Sequence, residues 1–361
     1  MTTHHQLADI RQQIDTLDQR LYKLIKQRAE LAHQVAQIKQ QSDPKPAYYR
    51  PEREAQILQH IMSTNDSLID DKALAQIFRD IMTACLAVQK PMTVAFLGPQ
   101  GTFSQVAVEQ HFGKTIGQLP VTDIFRVFRE VEAGNVDFGV VPIENSTEGV
   151  VNITLDAFIN SNLQICGEIE IPIHQHLLRA PNATASIQKI YSHQQSLSQC
   201  RQWLAQHMPN AERIVVASNA KAAELAKQDL ASAAIAGQLA AQLYDLDIVT
   251  HQIQDSSQNT TRFVIIGQQA VPPSSNDKTS LLVTSPNVPG AMLSLVQPFA
   301  DQQVNLTLIE SRPYHHQNWR YIFFIDIEGH QQDPAVQRAL DTLMNMPIML
   351  TILGSYPKAI S

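Results

Sequence analysis

The chain has 361 residues, 44 % of them hydrophobic and 17 % charged, with a formal net charge of −7. That length suits two or three domains with sizeable cores, and an acidic balance without a basic run excludes a nucleic-acid binder. No stretch reaches the roughly 20 apolar residues that span a bilayer, and MTTHHQLADIRQQ has no apolar signal core, so a cytoplasmic protein without a membrane partner is expected. Cys85, Cys166 and Cys200 lie far apart with no CxxC spacing, which argues against a zinc site or a disulfide framework.

Residues 6–90 hold prolines only at Pro44, Pro46 and Pro51. Leu7, Ile10, Ile14, Leu17, Leu21, Leu24, Leu31, Val35 and Ile38 step by threes and fours, the pattern of a long packed helix. The stripe calls for an apolar residue at position 28 and finds Arg28. Lys39 lies about three turns further on, on the same face, whereas Arg11 is about 25 Å away along the axis. One straight helix cannot bring Arg11 and Arg28 to one small ligand. An antiparallel partner helix can, so cations that share a ligand imply a homodimer with composite sites. Glu52–Met62 predicts a second helix. Asp70 or Asp71 can cap a third, with Cys85 and Gln89 one turn apart on one face. Cations, one carboxylate (Glu54, beside Arg53) and one amide suit a small dianion that carries a hydroxyl.

From Met92 the pattern changes. TVAFL, FGVVPI, LQICGEIEI, KIYSH, RIVVA, AAIAG and RFVIIG read as short strands; 104–112, 122–133, 196–207 and 219–227 read as helices. The alternation predicts α/β architecture with largely parallel sheets, in two lobes with a cleft between them. LGPQGTFSQ, PIENSTEGVVN, YSHQQSLSQC and ASNAKAAE each join a strand to a helix, where open α/β folds bind ligands. GPQGTF lacks the ending of a phosphate-binding loop, and no G-x-S-x-G is present. His174 with His176, and His315 with His316 in an expected hairpin loop, read as surface or packing residues rather than metal ligands. In NTTRFVIIG, Thr260, Thr261 and Arg262 stand at the entrance of a buried strand. VPPSSNDK, 271–278, reads as a linker. Strand 279–284, helix 290–300, strands 303–310 and 319–327, helix 334–345 and strand 348–353 then make a βαββαβ ferredoxin-like unit.

Three resemblances follow. IRQQIDTLDQRL, KQRAELAHQVAQIK, YRPEREAQIL and FRDIMTACLAVQ resemble the all-helical chorismate mutase domain, placed here at 1–91. The resemblance implies that Arg11 (from a second subunit), Arg28 and Arg53 bind substrate carboxylates. Lys39 and Gln89 would donate to the ether oxygen, Glu54 would hold the ring hydroxyl, and Cys85 would line the site. Arg50 stands where relatives carry Asp, and Cys85 where they carry Ser. GPQGTFS, VVPIENSTEG, YSHQQSLSQC and NTTRFVIIG are similar to prephenate dehydratase, placed at 92–270. Thr261 is then the catalytic candidate. Ser104, Glu144, Asn145, Ser192 and Gln199 are binding candidates, Asn219 is a weaker one, and Arg262 is either a ligand or a structural pair at the sheet edge. NVPGAMLSLVQPF and IESRP resemble the ACT regulatory domain, placed at 279–361, with Gly290, Ala291, Met292, Leu293, Glu310, Ser311 and Arg312 as phenylalanine-binding candidates.

The order of the three is that of the bifunctional P-protein family of phenylalanine biosynthesis. It implies conversion of chorismate to prephenate and then to phenylpyruvate, feedback inhibition by phenylalanine, and no metal or organic cofactor. Two alternatives stay open: a dehydratase that prefers arogenate, and a non-catalytic two-lobed amino-acid sensor.

Overall fold

The computed structural model describes residues 2–42, 46–313 and 320–359. His315 and His316 lie outside these residues. Three helices come first: α1 (Thr2–Ser42), α2 (Pro51–Thr64) and α3 (Asp71–Gln89). Pro51 sits in the first turn of α2, where a missing N–H costs no intrahelical bond. Asp70 is the cap of α3, its carboxylate accepting from Lys72 N at 3.0 Å and Ala73 N at 3.3 Å. α3 packs on both other helices. Only the C-terminal part of α1 is covered: Ala36 is buried, whereas Leu7, Ile10, Ile14, Leu17, Leu21 and Leu24 are 47–61 % exposed.

The central part has two sheets. The first lobe comprises β1 (Thr93–Leu97), α4 (Phe103–Phe112), β2 (Gly117–Val121), α5 (Ile124–Glu132), β3 (Phe138–Asn145), β4 (Gly149–Val150), α6 (Asn152–Ile159) and β5 (Gln164–Pro172). The second comprises β6 (His176–Arg179), β7 (Lys189–Ser192), α7 (Gln194–Gln199), α8 (Arg201–His207), β8 (Glu212–Val215), α9 (Asn219–Gln228), β9 (Ser232–Ala236), α10 (Gln238–Leu243) and β10 (Asp247–Thr250). The chain then returns through β11 (Thr260–Gly267), which lies between β3 and β5. Strand orders are β2-β1-β3-β11-β5, with β4 on β3, and β10-β6-β9-β7-β8.

The expectation of largely parallel sheets is corrected: both are mixed. β1 pairs in parallel with β2 and β3, and β7 with β8 and β9, but β11 runs antiparallel to both its neighbours, as does β6. These are the strands that carry the chain between lobes, where no helix crossover imposes parallel direction. The single helix expected over 196–207 is two. It breaks at Cys200, and Asp255 accepts the Gln202 and Trp203 N–H groups at 3.0 and 3.2 Å to start α8.

The last part is β12 (Asp277–Pro286), α11 (Ala291–Asp301), β13 (Leu306–Pro313), β14 (Arg320–Glu328), α12 (Pro334–Met344) and β15 (Met349–Pro357), an antiparallel sheet of order β13-β14-β12-β15. This is the expected βαββαβ unit. The linker is tighter than its composition suggests. Val271 and Ser274 are buried, Ser274 N donates to Asp277 Oδ2 at 2.8 Å, and 277–278 already belong to β12.

One sheet face carries α11 and α12. On the other, Leu282, Ile322, Phe324, Leu353 and Tyr356 share a core with Val141, Ile143, Ile165 and Val264 of the first lobe. β15 comes so close to β5 that a Cβ on Gly354 would lie 2.3 Å from Ile165 O. The helical part is anchored too. Tyr49, from the loop before α2, is buried among Phe112, Phe138 and His111, its hydroxyl 2.5 Å from His111 Nε2. Burial pushes the His111 pKa down to about 3, so the imidazole is neutral. Among the described residues no helix is long and apolar enough to cross a membrane.

Candidate active sites

The first site is a cavity of about 340 Å³ between the three helices and the first lobe. Arg28, Arg53, Glu54, Cys85 and Gln89 line it together with Arg50, Tyr48, His111 and Phe112. Three elements converge here: α1 brings Arg28, the start of α2 brings Arg53 and Glu54, and the last turns of α3 bring Cys85 and Gln89. Arg28 breaks the apolar stripe because its head faces this cavity. Gln89 Oε1 is buried without a hydrogen-bond partner. Glu54 accepts from Arg79 Nε at 3.1 Å; burial raises its pKa against the pull of Arg79. Arg50 is ion-paired with Glu52.

Lys39 stands beside the cavity rather than on its wall. Its Nζ donates to Ala47 O at 2.7 Å and lies 5.8 Å from the centre of the Tyr48 ring. Burial, then the Arg50 charge, lowers its pKa. Arg11 is exposed on the free part of α1, and this chain alone does not bring it to the cavity.

The second site lies at the hinge between the lobes. Thr261 and Asn145 are register partners in β11 and β3, as are Arg262 and Glu144. Side chains alternate across a strand, so Thr261 and Asn145 share one face and Arg262 and Glu144 the other. On the first face, Asn145 Oδ1 accepts from Thr147 N at 3.1 Å and Glu148 N at 3.2 Å. Backbone N–H groups only donate, so this settles which end of the amide is oxygen. Asn145 Nδ2 then donates to Thr261 Oγ1 at 2.8 Å and to Asn259 Oδ1 at 2.9 Å. Thr261 Oγ1 is thereby an acceptor, and among the described residues its own proton meets no acceptor.

On the other face Arg262 is almost wholly buried and tied to the C-terminal sheet. Its Nε donates to Glu168 at 2.7 Å and its Nη2 to Tyr356 OH at 2.9 Å, while Nη1 pairs with Asp326 at 2.7 Å and lies 3.6 Å from Glu144. Lys278 completes the cluster on Glu168 at 2.9 Å. Nε, Nη1 and Nη2 of Arg262 are thus all engaged within the protein, and β11, which carries it, is not the expected sheet edge but lies between β3 and β5.

In the second lobe, Ser192 Oγ donates to Asn219 Oδ1 at 3.1 Å. Asn219 Nδ2 donates to Ser196 Oγ at 2.7 Å, and Gln175 Nε2 reaches Ser196 Oγ at 3.0 Å and Gln199 Oε1 at 3.4 Å. Gln199 and Asn259 line a cavity of about 290 Å³ with Thr147, Glu148 and Ser198, which joins the two networks. Ser104 is buried in the first turn of α4. Reading the sequence overlooked Asn259 and Gln175. Asn259 stood inside NTTRFVIIG, but Asn before a strand reads as a turn former; Gln175 between two histidines carries no pattern. His174 and His176 are held at the hinge by Gln254 Nε2 at 3.1 Å and Gln252 N at 3.0 Å.

In the C-terminal sheet Gly290 has φ 81°, the left-handed region that favours glycine, immediately before Ala291 opens α11. Met292 and Leu293 are 50 % and 63 % exposed on its first turn. Glu310 and Ser311 lie in edge strand β13. Arg312 reaches across to the first lobe, its Nη1 donating to Asn152 O at 2.8 Å and Asp156 Oδ1 at 2.6 Å.

Comparison with known proteins agrees with this division. Residues 10–90 match the chorismate mutase type II family, 94–271 the prephenate dehydratase family and 279–343 the ACT domain family. A bifunctional chorismate mutase/prephenate dehydratase of Stutzerimonas stutzeri is 50 % identical over the full length of both chains, and one of Pseudomonas aeruginosa is 49 % identical, also over the full length of both. A crystal structure of prephenate dehydratase from Arthrobacter aurescens in complex with L-Phe aligns with a TM-score of 0.68 at 36 % identity, covering 74 % of this chain and 90 % of that one. The chain belongs to the bifunctional chorismate mutase/prephenate dehydratase family.

Proposed function

We propose that the helical cavity rearranges chorismate to prephenate, that the hinge site converts prephenate to phenylpyruvate, and that phenylalanine bound on the C-terminal sheet inhibits the second step. The rearrangement needs no nucleophile and no proton transfer. The cavity has only to hold the reactive conformer and stabilise charge on the breaking C–O bond. Arg28 and Arg53 take the carboxylates, Gln89 and Lys39 donate to the ether oxygen, and Glu54, held by Arg79, takes the ring hydroxyl. Lys39 reaches the oxygen by leaving Ala47 O.

The exposed stripe on α1 supports a homodimer through the N-terminal helices, since so long an apolar row is seldom left in water. An antiparallel second α1 would also supply Arg11.

In the second reaction the ring loses CO2 and hydroxide, and aromaticity is gained. The C–CO2 bond electrons enter the ring as the C–O bond breaks, and the departing oxygen takes up a proton to leave as water. The observation that carries the reading is the Asn145–Thr261 hydrogen bond. By donating to Thr261 Oγ1, Asn145 turns the hydroxyl proton outward, making Thr261 an oriented donor to the leaving oxygen. A neutral hydroxyl is a weak acid but an adequate donor in a buried site. Ser104, Ser192 and Gln199 surround the substrate; Glu144, expected there from the sequence, lies with Arg262 on the opposite face of the sheet from Thr261.

For phenylalanine, Gly290 to Leu293 and Glu310 to Arg312 form the binding segments. Arg312 on Asp156, and Arg262 on Asp326, supply the contacts by which a change in the C-terminal sheet reaches helix α6 and the catalytic strand β11. Inhibition then requires phenylalanine to bind two conformations unequally. Supplying prephenate to the purified protein and measuring phenylpyruvate with and without phenylalanine tests the reading. Absence of phenylpyruvate would refute it.

A further inference from the structure

Asn259 holds a buried amide whose donor end has no partner. The residue ends the loop that leads into β11, is 2 % exposed, and its backbone carbonyl accepts from Ile173 N at 2.8 Å. Its Oδ1 accepts from Asn145 Nδ2, and because backbone donors fix the Asn145 amide, they also fix this one: oxygen toward Asn145, nitrogen away from it. No acceptor meets Asn259 Nδ2 among the described residues. Buried polar groups are nearly always paired, and leaving one unpaired is costly. An unpaired buried donor on a residue that lines a cavity therefore points to a ligand that completes it. Asn259 lines the hinge cavity with Thr147, Glu148 and Gln199. Asn145 Nδ2 is hydrogen-bonded to both Asn259 Oδ1 and Thr261 Oγ1, so those two oxygens are at most about 6 Å apart, and Asn259 Nδ2, on the same amide carbon as Oδ1, lies within about 8 Å of Thr261 Oγ1.

Resting on the reading of this site as the dehydratase site, we propose that Asn259 Nδ2 is a second hydrogen-bond donor to the oxygen that leaves the substrate ring, beside the Thr261 hydroxyl. Negative charge gathers on that oxygen as the C–O bond lengthens. Two neutral donors in a buried, pre-set arrangement stabilise it without bringing a charge of their own. Asn259 forms no covalent bond and transfers no proton. Asn145 is the common organiser: one of its N–H groups turns the Thr261 proton outward, and another turns the Asn259 amide.

The test compares Asn259→Asp and Asn259→Ala with the parent, reading kcat and KM for prephenate from about pH 8 down to about pH 5. Asn259→Asp keeps the shape and the acceptor toward Asn145 but replaces the donor with a carboxylate. At neutral pH its kcat should fall about 100-fold or more, and that of Asn259→Ala about 10- to 100-fold, with KM moving less than about threefold. As the pH falls and the new carboxyl gains a proton to donate, Asn259→Asp should recover relative to the parent while Asn259→Ala does not. A merely structural role would not produce that difference. Mutase activity of the same preparations, unchanged within about twofold, reports an intact chain. The assignment is overturned if kcat of Asn259→Asp stays within about threefold of the parent, if the loss is confined to KM, or if no recovery occurs at low pH. A parent that makes no phenylpyruvate overturns the reading of the site itself, and the assignment with it.

Discussion

Thr261→Val is the sharpest perturbation of the hinge site, because valine nearly reproduces the shape of threonine and removes one hydroxyl. Thr261 is 9 % exposed and Asn145 6 %. The substitution removes the 2.8 Å acceptor of one Asn145 N–H and leaves it only the longer contact to Thr260 O at 3.3 Å. Exchanging a good buried hydrogen bond for a poor one costs about 1 kcal/mol of stability, enough to lower the melting temperature by a few degrees without unfolding the chain. The catalytic cost is separate. Removing one oriented donor from a buried oxyanion-type site costs about 2.7–4 kcal/mol, or roughly 100- to 1000-fold in kcat. No carboxylate of the substrate is assigned to Thr261, so KM should change less than about threefold. Steady-state phenylpyruvate formation measures both constants. Thr261→Ser, which keeps the hydroxyl, should restore most of the rate. A valine variant with kcat within about fivefold of the parent would refute the donor role.

If the mutase site is shared between two subunits, Arg11→Ala and Arg28→Ala should each be nearly inactive as mutases. Unfolding and refolding them together should restore about a quarter of the parent activity, because half the dimers then hold one intact site; no recovery would argue for sites built from one chain. Burial pushes the Glu168 carboxyl up, but Arg262 and Lys278 outweigh it and hold its folded pKa below the ordinary carboxylate value. The stabilisation this gives is complete above the unfolded pKa and is lost as pH falls through the folded one. Chemical unfolding should therefore show a loss of stability below about pH 4 that Glu168→Gln lacks. At neutral pH that variant should be about 3–5 kcal/mol less stable, since Arg262 and Lys278 lose a buried partner. Gly354→Ala would place a methyl 2.3 Å from Ile165 O and force β15 off the first lobe. Phenylalanine should then lose its effect on dehydratase turnover while mutase activity persists.

Elements with a strong period were legible. The threes and fours of α1 and the Asp cap of α3 come from local physics, and so does the βαββαβ order. Less regular stretches were not. GQLPV forms β2 although Gly and Pro are poor strand formers, because β1 supplies its hydrogen bonds. α6 begins after Val151 without a side-chain cap, so nothing marked its start. The mixed direction of both sheets depends on where the chain crosses between lobes, which no local pattern records. Within the candidate sites, residue types were legible and roles less so. Adjacent positions on a strand must face opposite ways, so Thr261 and Arg262 could not both face one ligand; that signal was available. The burial of Tyr49 against His111 was not, since it joins residues from two parts of the chain.

The most direct measurement supplies chorismate alone to the purified protein and follows chorismate, prephenate and phenylpyruvate in time, with and without phenylalanine. Two working sites predict that chorismate disappears, prephenate forms and is consumed, and phenylpyruvate accumulates, with phenylalanine slowing the last step. Chorismate that stays unchanged, or prephenate that builds up with no phenylpyruvate, would contradict the account.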